Sequence, residues 1–127
     1  MMNQKEIIKV SQMYPKAFKE LDTTLVDKYF AKNATKTGFI YDYEVNKWLD
    51  ISTVGVDDIK QWVASYNQDS IMPETEVNIE VLDVQERIAV VKVTLDWAEA
   101  KKGCDYLFLT KENNSWIIDK VLYQSIL

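Results

Sequence analysis

Histidine is absent from the 127 residues, and that absence removes more chemistry than any other. Without an imidazole there is no Ser-His or Cys-His nucleophile, no neutral-pH imidazole acid or base, and no histidine-rich metal site. Cys104 is the only cysteine, so neither an internal disulfide nor a cysteine-cluster zinc site can form. Arginine is equally scarce. Arg87 stands alone, so bidentate phosphate or guanine recognition is nearly absent. A net charge of −5 and a pI near 4.7 argue against nucleic acid as a partner, since phosphate binding needs a clustered positive field. No apolar run approaches the roughly 20 residues of a membrane span, and no membrane partner is expected. The opening MMNQKEIIKV has neither the long apolar stretch nor the small-residue cleavage site of a secretory signal, so a cytoplasmic protein is expected. These residues call for no metal and no cofactor.

What remains reads as one domain, 1–127, long enough to bury roughly two-thirds of its unfolded surface. Ile7, Val10, Tyr14, Phe18 and Leu21 form one apolar stripe at helical spacing, with Pro15 expected to kink it or delay its start. Asp22, Thr23 or Thr24 can cap a short second helix carrying Leu25, Val26, Tyr29 and Phe30. An irregular, aromatic, hairpin-like stretch is expected from Thr35 to about Ile51, and then a third helix with Ile59, Trp62, Val63 and Tyr66 on one face. Beyond Met72-Pro73 the chain alternates apolar and polar residues to its end. Helices followed by a long antiparallel meander define an α+β class.

Turn chemistry then predicts strand registers. Asn113-Asn114 suits a two-residue turn and pairs Leu109 with Ile118, Leu107 with Lys120 and Asp105 with Leu122. Lys101-Lys102-Gly103 reads as a three-residue loop, pairing Glu99 with Asp105 and Trp97 with Leu107. A loop at Gln85 to Arg87 sets Val81 opposite Val91. These registers collect the aliphatic side chains on one face, where the helices must pack, and gather Glu99, Asp105 and Lys120 at one end of it. Two carboxylates and an ammonium on an apolar face are costly unless paired, solvated or used. A pocket mouth is therefore expected there, with a plain solvated rim as the alternative. The opposite face mixes Tyr106, Phe108, Val121 and Tyr123 with charged residues, as a homodimer contact would.

This order of elements resembles the nuclear transport factor 2-like superfamily, and more narrowly its SnoaL-like and "putative lumazine-binding" branch. Leu21-Asp22, Phe30-Ala31-Lys32-Asn33-Ala34, Ile59-Lys60-Gln61-Trp62-Val63, Ile88 to Val93, Asp105-Tyr106-Leu107 and Trp116-Ile117-Ile118 carry the likeness, which spans essentially the whole chain. It implies a cone-shaped, cystatin-like fold, with three helices on a curved antiparallel sheet, an apolar cavity between them, and usually a dimer. Members of the superfamily include isomerases, dehydratases, cyclases, epoxide hydrolases and pure binding domains, so fold alone does not name an activity. This chain departs from the catalytic patterns. A His-Asp pair cannot be built, Arg87 falls in a turn away from the mouth, and Ala31-Lys32-Asn33-Ala34 stands where "His-Pro-Asp-Ala" is common. Nothing in the residues identifies a pteridine or ribityl group.

Three readings follow. In the first, a small, partly apolar ligand is held by Tyr14, Phe18, Trp48, Trp62, Trp97 and Lys120. In the second, a SnoaL-like isomerase, cyclase or lyase uses Asp105 or Glu99 as acid and base, with Tyr14, Tyr66 or Lys120 polarising a carbonyl. A structural or interaction domain without a ligand is the third. Cys104, next to Asp105, reads as a structural thiol rather than a reactive one.

Overall fold

The structure is a computed structural model that describes residues 2–127, with side chains from Gln4 onward. Helix α1, Met2–Glu20, runs through Pro15 as one element. The proline takes away the helical bond to the Ser11 carbonyl without ending the helix. Its stripe is the expected one, with Ile7, Val10, Tyr14 and Phe18 all buried. Leu21 turns the chain in the left-handed region, at φ 56°. Asp22 caps α2, Thr23–Tyr29, by accepting from the Thr24 amide at 3.0 Å.

The expected irregular hairpin stands as two longer strands, β1 (Phe30–Asp42) and β2 (Lys47–Val54), paired antiparallel with a register shift between Lys36 and Gly38. Helix α3, Val56–Ser65, starts at Gly55 rather than at Ser52 or Thr53, which belong to β2. The meander follows as β3 (Asn78–Val84), β4 (Ile88–Asp96), β5 (Lys102–Glu112) and β6 (Ser115–Ser125). All six strands form one sheet in the order β2-β1-β6-β5-β4-β3. It is mixed rather than wholly antiparallel, because β1 runs parallel to β6. The helices cover one face, with Ile59 and Val63 of α3 packed into the same core as Val91, Val93, Leu107, Leu109 and Ile118.

Two registers depart from the expected ones, with opposite consequences. Between β4 and β5, Leu95 faces Gly103 and Val91 faces Leu107, so Trp97 is not opposite Leu107 and Glu99 is not opposite Asp105. The connection is longer than the three residues expected. A 3₁₀ turn at Ala98–Ala100 places Glu99 and Ala100, not a glycine, at positive φ. That displacement is even in residue count, so every side chain keeps its face. Between β5 and β6 the Asn113-Asn114 turn is as expected, both residues having positive φ, and Leu109 faces Ile118. A bulge then intervenes: Phe108 faces Lys120, Leu107 faces Val121 and Asp105 faces Tyr123. One extra residue, Asp119, inverts the faces of everything after it. Val121 is fully buried and Tyr123 packs on the core, so neither belongs to the outer surface assigned to them. Lys120 and Leu122 take the outward places instead, both exposed.

Candidate functional site

Between the helices and the sheet lies a cavity of about 460 Å³. Phe18, Trp62, Tyr66, Trp97 and Tyr123 supply most of its walls, with Ile40 and Ile51 from the first hairpin. Glu99, Lys101, Lys102 and Gln124 stand around its opening. Trp97 is the hub of the aromatic wall. Its ring packs edge-to-face on Tyr14 (5.6 Å), Phe18 (5.4 Å) and Tyr66 (5.7 Å), a preferred geometry for aromatic quadrupoles. The Tyr66 hydroxyl in turn accepts from the Ala98 amide at 3.2 Å, tying the end of α3 to the turn at the mouth.

Two glycines make this wall possible. A Cβ on Gly103 would come within 2.5 Å of the Trp97 ring, and one on Gly38 would overlap the Tyr123 ring. Neither glycine has positive φ, so each is needed for close approach of a ring to the backbone. Gly103 therefore does a different job from the turn position expected of it.

Asp105 and Lys36 are the polar centre. Both are buried, and both line the cavity. On β5, Asp105 accepts from the Tyr14 hydroxyl at 2.5 Å and from Trp97 Nε1 at 3.1 Å. Lys36, on β1, donates from Nζ to the Tyr14 oxygen at 2.6 Å. Ammonium, phenol and carboxylate thus form one chain, with the phenol bridging the two charges. Around Lys36 Nζ stand the rings of Phe18 (4.4 Å), Tyr14 and Tyr123 (4.8 Å each) and Trp97 (5.4 Å). Their faces attract a cation through the ring quadrupole.

Burial shapes the titration of all three groups. It lowers Lys36 to about 8, against the opposing pull of the Asp105 charge. It raises Asp105 above the usual carboxylate range, opposed by the Lys36 charge and the Tyr14 and Trp97 hydrogen bonds. Burial, and then the Asp105 charge, pushes Tyr14 well above an ordinary phenol and Tyr123 up to about 12.

Set against the sequence reading, Asp105, Phe18, Trp62 and Trp97 do line one cavity, and Tyr14 sits behind Asp105 as its hydrogen-bond partner. Glu99 reaches only the mouth, where its side chain is 66% exposed and pairs with Lys101 at 3.2 Å. The bulge at Asp119 carries Lys120 to the opposite face, away from the cavity. Trp48 lies on the β1–β2 hairpin, 41% exposed and stacked edge-to-face on Tyr41, and is not part of the wall. Lys36 was missed. Its signal was the spacing Ala34, Lys36, Gly38, the alternation of a strand with a lysine among its inward positions. Among the described residues, no group of three or more Cys, Asp or Glu side chains is placed to hold a metal ion. Among the described residues, no helix is long and apolar enough to cross a membrane.

Comparison with known proteins supplies the family. The model of the family described as "Putative lumazine-binding" matches residues 2–124. The chain belongs to that family. Solved structures place this member of the family among nuclear transport factor 2-like folds. A nuclear transport factor 2-like protein of unknown function from Silicibacter pomeroyi is 21% identical with a TM-score of 0.73, over 98% of this chain and 97% of that one. Another from Shewanella baltica is 18% identical with a TM-score of 0.69, over 99% and 95%. A domain of unknown function with a cystatin-like fold, from Nostoc punctiforme, is 15% identical with a TM-score of 0.68, over 100% and 79%. Among curated proteins, no sequence matches. At these identities the shared property is the cone-shaped α+β fold.

Proposed function

We propose that this family member binds a small, flat, partly apolar molecule whose acceptor or anionic group is met by Lys36. The observation that carries this reading is the buried ammonium at the wall of an otherwise aromatic cavity. Aromatic walls suit the faces of a planar ligand, and a single buried cation orients it by its acceptor. The family description names lumazine, a planar heterocycle edged with carbonyl oxygens, which is a molecule of this chemical kind. Naphthoate and lumazine, titrated against tryptophan fluorescence, are expected to saturate one site, with methylnaphthalene binding more weakly. Lys36→Met should weaken naphthoate at least tenfold and leave methylnaphthalene unchanged. Equal binding of naphthoate to both proteins would remove Lys36 from recognition.

Asp105 favours a second reading, a SnoaL-like isomerase, cyclase or lyase that uses a carboxylate as acid and base without histidine, because a raised carboxyl lines the cavity. Under that reading Asp105→Asn abolishes turnover of a ketone substrate; unchanged turnover excludes it.

A homodimer through the outer sheet face is also proposed, now on Tyr106 and Phe108 with the outward Leu122 beside them. The exposed apolar surface of Leu122, at 37%, supports it. A cytoplasmic setting accords with Cys104, a free and buried thiol.

A further inference from the structure

We propose that Lys36 is an attacking amine, which forms a covalent imine with an aldehyde or ketone carried by the flat molecule that fills the cavity. This rests on the binding reading above and adds a reaction to it. Geometry supports it in three ways. First, Lys36 is the one buried lysine among the described residues, and it lines the cavity rather than the outer surface. Second, its partner is the neutral Tyr14 hydroxyl rather than a carboxylate in direct contact. A lysine clamped by a carboxylate is held as ammonium and cannot attack; one bridged to its carboxylate through a phenol has a route by which a proton can leave. Third, the rings of Phe18, Tyr14, Tyr123 and Trp97 surround the nitrogen, so a positive charge there is stabilised whether it is an ammonium or an iminium.

The step balances within the chain's own groups. After Lys36 gives up a proton, its lone pair forms the N–C bond to the carbonyl carbon, and the carbonyl π pair moves to oxygen. That oxygen collects the two protons the nitrogen loses, the C–O bond breaks, and water departs. Tyr14 passes protons and Asp105 takes and returns them, along the hydrogen bonds of 2.6 Å and 2.5 Å already in place. Tyr14 is thus a catalytic residue of the step, in contact with the reacting nitrogen, and Asp105 is the proton store behind it. Aromatic walls disfavour retention of the released water and so favour the imine. The lowered titration of Lys36, to about 8, fits an amine that is available near neutral pH while exposed lysines stay protonated.

The test is reductive trapping. Full-length protein is incubated with naphthaldehyde and sodium cyanoborohydride, whose hydride reduces an imine to a stable secondary amine, and the modified residue is mapped by peptide mass spectrometry. A single adduct on Lys36, formed at least tenfold faster than on any exposed lysine, is expected. Its yield should rise as pH climbs through about 8, before the exposed lysines respond. Lys36→Arg keeps the charge and should lose the adduct; Tyr14→Phe should slow its formation. If methylnaphthalene binds yet label spreads over exposed lysines, the imine is excluded and the binding reading stands. Should methylnaphthalene fail to bind as well, both fall together.

Discussion

At the scale of single residues, Tyr14 joins the two buried charges. Its hydroxyl accepts from Lys36 and donates to Asp105, so removing it leaves one buried donor and one buried acceptor short of a partner. Tyr14→Phe is expected to cost about 1–3 kcal/mol in urea denaturation; a loss too small to measure would mean that water replaces the hydroxyl. Lys36 has its own signature. Its folded titration near 8 lies below the ordinary 10.5, so between those values the unfolded chain holds more protons. Stability should therefore rise with pH across that window, and the rise should vanish in Lys36→Met. Tyr14 from α1, Asp105 from β5, Tyr66 at the end of α3 and Tyr123 from β6 surround the same space. Because the phenols are displaced upward, their contribution falls with pH only above about 10. The clean interval for comparing the two proteins by urea denaturation is thus from about 8 to 10.

At the scale of elements, close approach and register decide the site. Gly38 on β1 lets the Tyr123 ring of β6 lie against the backbone, and the added methyl of Gly38→Ala must displace it. Overpacking of that kind costs about 1–3 kcal/mol, and the double substitution with Tyr123→Ala should recover part of it in a double-mutant cycle. A fully additive pair would show that the ring does not feel the methyl. Lys120→Ala distinguishes the two registers of β6. Outward-facing Lys120 should change stability by no more than about 0.5 kcal/mol and leave naphthoate binding untouched. A loss of binding would return Lys120 to the cavity. Helices and strands of the meander were legible in the sequence because their periodicity is local. Asp105 was placed on the right face because the β4–β5 displacement is even. Lys120, Val121 and Tyr123 were misplaced because a single-residue bulge leaves no mark on an alternating pattern, yet inverts all that follows.

At the scale of the whole molecule, the mixed sheet closes the cavity. By running parallel to β6, β1 sets Lys36 beside Val121 and Gly38 beside Tyr123, next to the strand that carries Asp105. The outer face of the same sheet bears the proposed dimer contact. Sedimentation at micromolar concentration is expected to give twice the 14.8 kDa chain mass, and Phe108→Glu should shift it to the monomer, since a buried unpaired carboxylate opposes association. A monomeric native chain would exclude that contact.

The missing histidines, the lone cysteine and the acidic balance by themselves exclude imidazole catalysis and cysteine-cluster sites and weigh against nucleic-acid binding. Periodicity by itself determined the α+β class and the inward stripe of α1, and with the turns it determined the aliphatic face of the meander as far as the bulge at Asp119. Only the tertiary structure decided which cation Tyr14 links to Asp105. Lys36 and Asp105 lie far apart in the chain, and their link through Tyr14 depends on a parallel pairing, a bulge at Asp119 and two glycines that admit aromatic rings. None of these follows from local spacing, because each is settled by which strands become neighbours and by the packing between them.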